Sequence, residues 1–148
     1  MGRCRGGFTS KIIVSAADED TAIAVDVAPG QAHDAPLFEP ILEATGERVP
    51  VIDEVVGDRG FDSDAIRGLC VGRDIATVIP NRRNRVDPWP FDSSAYRGRN
   101  AVERLFGKLK QFRRVATRYE KLKQTFLGVI HLALGFIRLR SSRNVNTA

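Results

Sequence analysis

At 148 residues the chain has the length for one domain with a real core, and 43% apolar content excludes a disordered polymer. No signal-peptide pattern opens it, and the longest apolar stretch, Phe126 to Ile137, is too short for a bilayer span and contains His131, so the sequence predicts a soluble cytoplasmic protein with no membrane partner. The net charge of +5 is unevenly spread: residues 1–80 hold 7 Lys+Arg against 14 Asp+Glu, and residues 81–148 hold 16 against 4.

So basic a second half is the footprint of a polyanion partner, the alternative being an ordinary helical surface of solvated lysines and arginines. Cys4 and Cys70 are far apart and in no metal-ligand spacing, which predicts free thiols. The opening segment GRCRGG, Gly2 to Gly7, reads as a flexible lead-in or a backbone loop touching phosphate. Phe8–Ala17, with Ile12, Ile13 and Val14, and Thr21–Ala28, with Ile23, Val25 and Val27, read as an antiparallel hairpin across an Asp18-Glu19-Asp20 turn. Asp34 then stands as the N-cap of a short helix to about Ala44, with Pro36 in its first turn and His33 in a structural role. Val49–Gly57 is the clearest strand, with Asp58 at its C-terminal end. Asp62 or Ser63 caps a helix from Asp64 to about Val71, which Gly72 stops, and Ile75–Ile79 forms the next strand. Strand, helix and strand in that order predict a parallel crossover unit. The loop Asn81–Ala95 carries Arg82, Arg83 and Arg85 and then Pro88-Trp89-Pro90-Phe91. Basic residues beside aromatics suit a nucleic-acid surface, although Trp89 and Phe91 can equally anchor a long loop.

The stretch Tyr96–Lys110, YRGRNAVERLFGKLK, is read as one helix with two faces. Val102, Leu105, Phe106, Leu109 and Phe112 form the stripe that packs, and Tyr96, Arg99, Glu103 and Lys110 fall on a second stripe along its border. Arg113, Arg114 and Arg118 continue the basic character, a final helix runs from about Leu122 to Leu139, and a loose tail is expected from Ser141 to Ala148. Glu103 could simply pair with Arg99 four residues earlier on a solvated surface.

The pattern Tyr-x2-Arg-x3-Glu-x6-Lys, however, is similar to the signature of the DDE transposases of bacterial insertion sequences. Gly57-Asp58-Arg59-Gly60-Phe61-Asp62 resembles that family's second catalytic motif. The resemblance runs from Gly2 to about Leu139. It implies an α/β, ribonuclease H-like fold, a mixed sheet with flanking helices spanning residues 1–140. It implies Asp58 and Glu103 as catalytic carboxylates and ligands of Mg²⁺ or Mn²⁺, with two ions in a complete site. Arg99 and Lys110 would hold DNA phosphates, Tyr96 would lie near the scissile strand, and Arg82, Arg83, Arg85 and Trp89 would extend the DNA surface. The partners implied are the insertion-sequence terminal repeats and target DNA, with a homo-oligomer as the active complex in the nucleoid.

Phosphoryl transfer on DNA suits such a set, because hard divalent ions take oxygen ligands from Asp and Glu. In the family the first aspartate lies on a central strand that precedes the glycine-rich segment, and here that segment starts at Gly2. Asp18, Glu19 and Asp20 fall in a turn and Asp26 inside a strand, so none is a convincing substitute, Asp18 being the least poor. The chain is therefore expected to lack the central strand and to be a truncated or frameshift-partner fragment, inactive alone. The rival readings are a DNA-binding remnant without catalysis and a related metal-dependent nuclease.

Overall fold

A computed structural model describes the backbone of residues 2–4 and 7–145 and the side chains of residues 9–143. Arg5 and Gly6, and the side chain of Cys4, lie outside what is described. The chain is α/β, as expected, and divides into two compact units: residues up to Gln31 join those from Asn100 onward, and Ala32–Arg99 form the other.

The first unit begins with β1 (Gly2–Cys4), β2 (Gly7–Ala16) and β3 (Ala22–Pro29), an antiparallel sheet in that order. The predicted hairpin is β2–β3, in a register that sets Ile12 opposite Val27 and Val14 opposite Val25. Its turn is closed by Ala17 N–H to Thr21 O, at 2.9 Å, and by Asp18, whose carboxylate accepts from Asp20 N–H and from the Thr21 hydroxyl. Helices α3 (Asn100–Lys110), α4 (Arg113–Thr117) and α5 (Lys123–Val145) pack with the sheet. Leu105, Leu109, Val115, Phe126, Ile130, Ala133, Leu134 and Ile137 meet Val27 in the core, with Ile12, Val14 and Val25 against it. The three- and four-residue spacing of the α5 positions is the periodicity that predicts the helix.

α5 runs on through Val145, so the loose tail expected from Ser141 is helix for at least five residues. The Ser141 hydroxyl donates to Asp20 Oδ2 at 2.9 Å and ties that last part of the helix to the hairpin turn.

The second unit holds α1 (Ala35–Gly46), β4 (Glu54–Val56), α2 (Asp64–Val71) and β5 (Ala76–Val78). β4 and β5 pair in parallel, as the strand–helix–strand order predicts. Among the described residues the first unit holds the three-stranded antiparallel sheet and the second this two-stranded parallel pair. The strand expected over Val49–Gly57 is confined to Glu54–Val56. Pro50 offers no N–H to a ladder, Val49 N–H is used on Thr45 O at the end of α1, and β5 gives β4 only three partners. The helix expected from Tyr96 begins at Asn100, because Ala95–Arg99 is a 3₁₀ turn. Asp92 fixes that turn by accepting from Ser94 N–H and Ala95 N–H, and Gly98 disfavours a longer α-helix. Tyr96 and Arg99 therefore eclipse each other three residues apart instead of continuing an α-helical stripe.

Phe38, Leu42, Ile66, Cys70, Ile75 and Ile79 form the core of this unit, with the Phe61 ring tilted at 55° against Phe38, centroids 5.6 Å apart. Cys70 is a free, buried thiol whose pKa burial pushes up. Within this core lies an ion pair that sequence reading assigns to a cap or the surface. Arg67 and Asp62 both have fully buried side chains. Arg67 Nε and Nη2 donate to Asp62 Oδ1 at 3.0 Å each, Nη2 also reaches Ile79 O at 2.7 Å, and the guanidinium lies 5.5 Å from the Trp89 ring. The cap of α2 is Ser63 alone, whose hydroxyl accepts from Ile66 N–H.

Burial pushes the Asp62 carboxyl up, but the bonds from Arg85, Arg82 N–H and Arg67 outweigh it and hold the pKa below the ordinary aspartate value. A pKa depressed in the folded chain adds stability above the unfolded value, about 3.9, and that stability is lost as pH falls through the lower folded value. Asp62→Asn should cost about 3–5 kcal/mol at pH 7 in urea denaturation, because it leaves Arg67 buried without its counter-charge. The difference between wild type and variant should shrink only below about pH 4. In the first unit, Ile130→Ala should cost about 2–5 kcal/mol, while truncation of Leu132, 77% exposed on the same helix, should stay within about 0.5 kcal/mol.

Candidate active site around Asp58

Asp58 stands two residues beyond the end of β4, after Gly57, in extended backbone with φ −80° and ψ 172°. Its Oδ1 accepts from Gly60 N–H at 2.7 Å and so caps the 3₁₀ turn Arg59–Phe61. One carboxylate oxygen is thereby used to fix the turn, and the group stays half-buried at a pocket. The pocket, about 440 Å³, is lined by Asp58, Arg59, Gly60, Pro80, Phe91, Tyr96 and Arg99. Phe91 meets Tyr96 edge-on at 5.4 Å, and the Arg99 guanidinium stands 6.0 Å from the Tyr96 ring. A carboxylate, two guanidinium groups and two aromatic rings thus share one concave surface. Such a set can hold a phosphate on the cations and an apolar sugar or base on the rings.

Asp34, expected to cap α1, lies instead in αR backbone and makes no side-chain cap bond. Its carboxylate turns to Gly60: Asp34 Oδ2 and Asp58 Oδ1 each stand 2.8 Å from where a Cβ on Gly60 would lie. A side chain on Gly60 would force at least one of these two carboxylates to shift. Asp34 and Asp58 are hard oxygen donors suited to a divalent cation. Among the described residues, however, no group of three or more His, Cys, Asp or Glu gathers closely enough to hold a metal.

The other sequence-predicted residues are distributed as follows. Arg82, Arg85 and Trp89 line a second pocket of the same unit, about 670 Å³, with Asp62, Asp64 and Asn84. Arg85 Nε donates to Asp62 Oδ2 and its Nη1 to Asp64 Oδ1, at 3.0 and 2.6 Å, so its charge is matched within the unit. Trp89 Nε1–H donates to Asp64 Oδ1, and Trp89 exchanges two bonds with the Asn81 side chain. Both are held in place as loop anchors, whereas Arg83 is exposed. Glu103 and Lys110 belong to α3 in the other unit, both exposed and two helical turns apart on one face.

Sequence reading leaves Phe91 open between a nucleic-acid surface and a loop anchor, and assigns Asp34 to a cap. Phe91 sits two residues from Trp89 in the same aromatic cluster, and nothing in the spacing separates the residue that joins Tyr96 from the one that anchors the loop. For Asp34 the cap pattern is itself the misleading signal.

Comparison with known proteins bears on this arrangement. Residues 55–140, more than half of the chain, match the family model described as the transposase DDE domain. Over 113 residues the chain is 32% identical to a Brucella ovis protein named for the transposase of insertion sequence element IS6501, covering 76% of this chain and 84% of that protein. No solved structure matches. No helix among the described residues is long and apolar enough to cross a membrane. On these two sequence matches, the chain belongs to the DDE transposases of insertion sequences.

Proposed function

We propose that the chain is part of a catalytic domain that cuts DNA at the terminal repeats of an insertion sequence and joins the freed 3′-hydroxyls to a target. The observation that carries this reading is the pocket that brings Asp58 together with Arg99 and Tyr96, two of the four residues of the Tyr-Arg-Glu-Lys motif. Asp58 and Glu103 would each offer a carboxylate to a divalent cation, Mg²⁺ or Mn²⁺, and such ions, when bound, would supply activation of the attacking oxygen and stabilisation of the leaving one. Arg99 holds the scissile phosphate, Tyr96 orients the strand beside it, and Lys110 takes a neighbouring phosphate. Arg82 and Arg83 extend the DNA surface, with Arg85 and Trp89 holding their loop in shape. A ribonuclease H-like fold accords with an antiparallel hairpin followed by a parallel strand–helix–strand unit. The active complex is a homo-oligomer on DNA.

The first acid is the point at which this chain falls short. Glu19 pairs with Arg104 and Lys108, Asp20 with Lys108 and Ser141, and Asp26 with Lys123, while Asp18 closes its own turn. The bond from Lys108 holds the Asp20 carboxyl below its usual range, and those from Arg104 and Lys108 do the same for Glu19. Each of these acids already has a structural partner, which disfavours it as the family's first aspartate. It also gives weight to the rival reading, a copy that binds DNA without cutting it.

Expressed alone, the chain should show no Mg²⁺-dependent cleavage of the element's ends. Fused to the coding segment upstream of it, it should cleave and transfer strands. In the fusion, Asp58→Asn and Glu103→Gln should each reduce cleavage on the order of 100-fold or more. Robust cleavage by the chain alone would mean that one of the early acids serves after all, and Asp18→Ala would identify it. Arg99→Ala and Lys110→Ala should each lower the slope of log affinity against log salt by about one unit, equally for all sequences. An unchanged slope would place them away from DNA.

A further inference from the structure

The corner between α4 and α5 has no part in the function proposed above. Arg113 and Lys121, on either side of it, are exposed and have no acidic partner among the described residues. Tyr119 between them is 54% exposed. The single acid of the segment, Glu120, points inward: its side chain is only 4% exposed and its Oε1 lies 2.9 Å from Arg114 Nη2. Oε2 of the same carboxylate has no hydrogen-bond partner among the described residues.

Arg118 shapes the corner from within. Its backbone takes φ 46° and ψ 94°, a conformation that residues with a side chain rarely adopt. Its Nε donates to Glu120 O at 3.2 Å, and its guanidinium covers the Phe126 ring at 4.9 Å. A merely solvated connection between two helices requires neither a strained arginine nor a buried carboxylate. Here the one acid of the segment is buried against the exposed Arg114, and Arg113, Tyr119 and Lys121 are exposed around it in sequence.

We infer that this corner is a second, sequence-independent docking surface for the phosphate backbone of duplex DNA. Arg113 and Lys121 contact phosphates, and Tyr119 packs on a sugar. Glu120 acts only as a positioning residue, through Arg114 and the turn. Phosphate and sugar contacts from Arg, Lys and Tyr are the ordinary means by which proteins set their register on a duplex without reading bases. The inference rests on the DNA-binding reading above but concerns residues that it does not use.

The test is fluorescence anisotropy of the full chain with a labelled duplex of arbitrary sequence over a salt series. Arg113→Ala/Lys121→Ala should lower the slope of log affinity against log salt by about two units, one for each phosphate no longer neutralised. Arg113→Lys/Lys121→Arg should keep the slope. Tyr119→Ala should weaken binding with the slope unchanged, because packing on a sugar releases no counterion, and Tyr119→Phe should bind as wild type. All the substituted positions are exposed, and circular dichroism confirms that each variant is folded. A wild-type slope in the double alanine variant, the result expected if the corner serves an acidic protein instead, would overturn this proposal and leave DNA binding elsewhere on the chain intact. Failure of the wild-type chain to bind any duplex would overturn both readings together.

Discussion

Both oxygens of Asp62 are committed inside the unit formed by residues 32–99, and much of that unit is fixed relative to them. Oδ1 takes two donors from Arg67, which in turn reaches the carbonyl of Ile79 just past β5. Oδ2 takes the backbone N–H of Arg82 and Nε of Arg85. One carboxylate thus joins α2, the end of β5 and the start of the loop that leads to Trp89 and Phe91. A buried pair is costly to desolvate and contributes little net stability compared with apolar packing, but it tolerates only one arrangement of its partners. That directional demand is what a long, polar loop lacks by itself. The loop carries few apolar side chains into the core, so its course depends on hydrogen bonds whose geometry is set from within.

The site inherits its shape from that arrangement. Pro80 and Phe91, at the two ends of the braced loop, are both walls of the Asp58 pocket. Asp58 itself is set by the short turn that follows β4, where Gly60 lets two carboxylates approach one backbone position. Asp62 and Asp58, four residues apart on the same segment, have therefore divided two tasks. The one with both oxygens engaged is structural. The one with a single backbone bond lines the pocket.

The parts that were legible in the sequence are those governed by local periodicity. The hairpin alternation and the Ser63-capped helix from Asp64 to Val71 appear with nearly the expected bounds, and the apolar stripe of α5 appears on a helix that runs six residues further than expected. The failures come where tertiary hydrogen bonding overrides local pattern. Val49–Ile52 has the composition of a strand, but a strand is defined by a partner, and β5 reaches only as far as Glu54. Tyr96–Arg99 has helical spacing, but Asp92 captures the amides that would begin the helix and tightens it into a 3₁₀ turn. The roles of Asp34 and Asp62 were not legible for a related reason. An aspartate just before a helix is the pattern of a cap in both cases, and only the three-dimensional neighbours reveal that Asp34 faces Gly60 and Asp62 faces Arg67.

The uneven charge along the sequence takes on a different meaning once its pairings are known. Part of the basic second half is neutralised at short range by acids of the first half: Arg104 and Lys108 by the hairpin turn, Lys123 by Asp26, and Arg85 by Asp62 and Asp64. These cations are structural and exert little field at a distance, because each pair is nearly neutral as seen from beyond a Debye length. What a polyanion experiences is the remainder. On α3, Arg104 and Lys108 stand four residues apart and turn to the hairpin, while Glu103 and Lys110 lie on an exposed face. The same helix therefore separates cations that hold the fold from a face that solvent reaches. Net charge alone does not describe the field such a partner meets; the cations that remain after intramolecular pairing set it. Among the described residues they include Lys110, Arg113 and Lys121, clustered within a dozen residues of sequence on one unit.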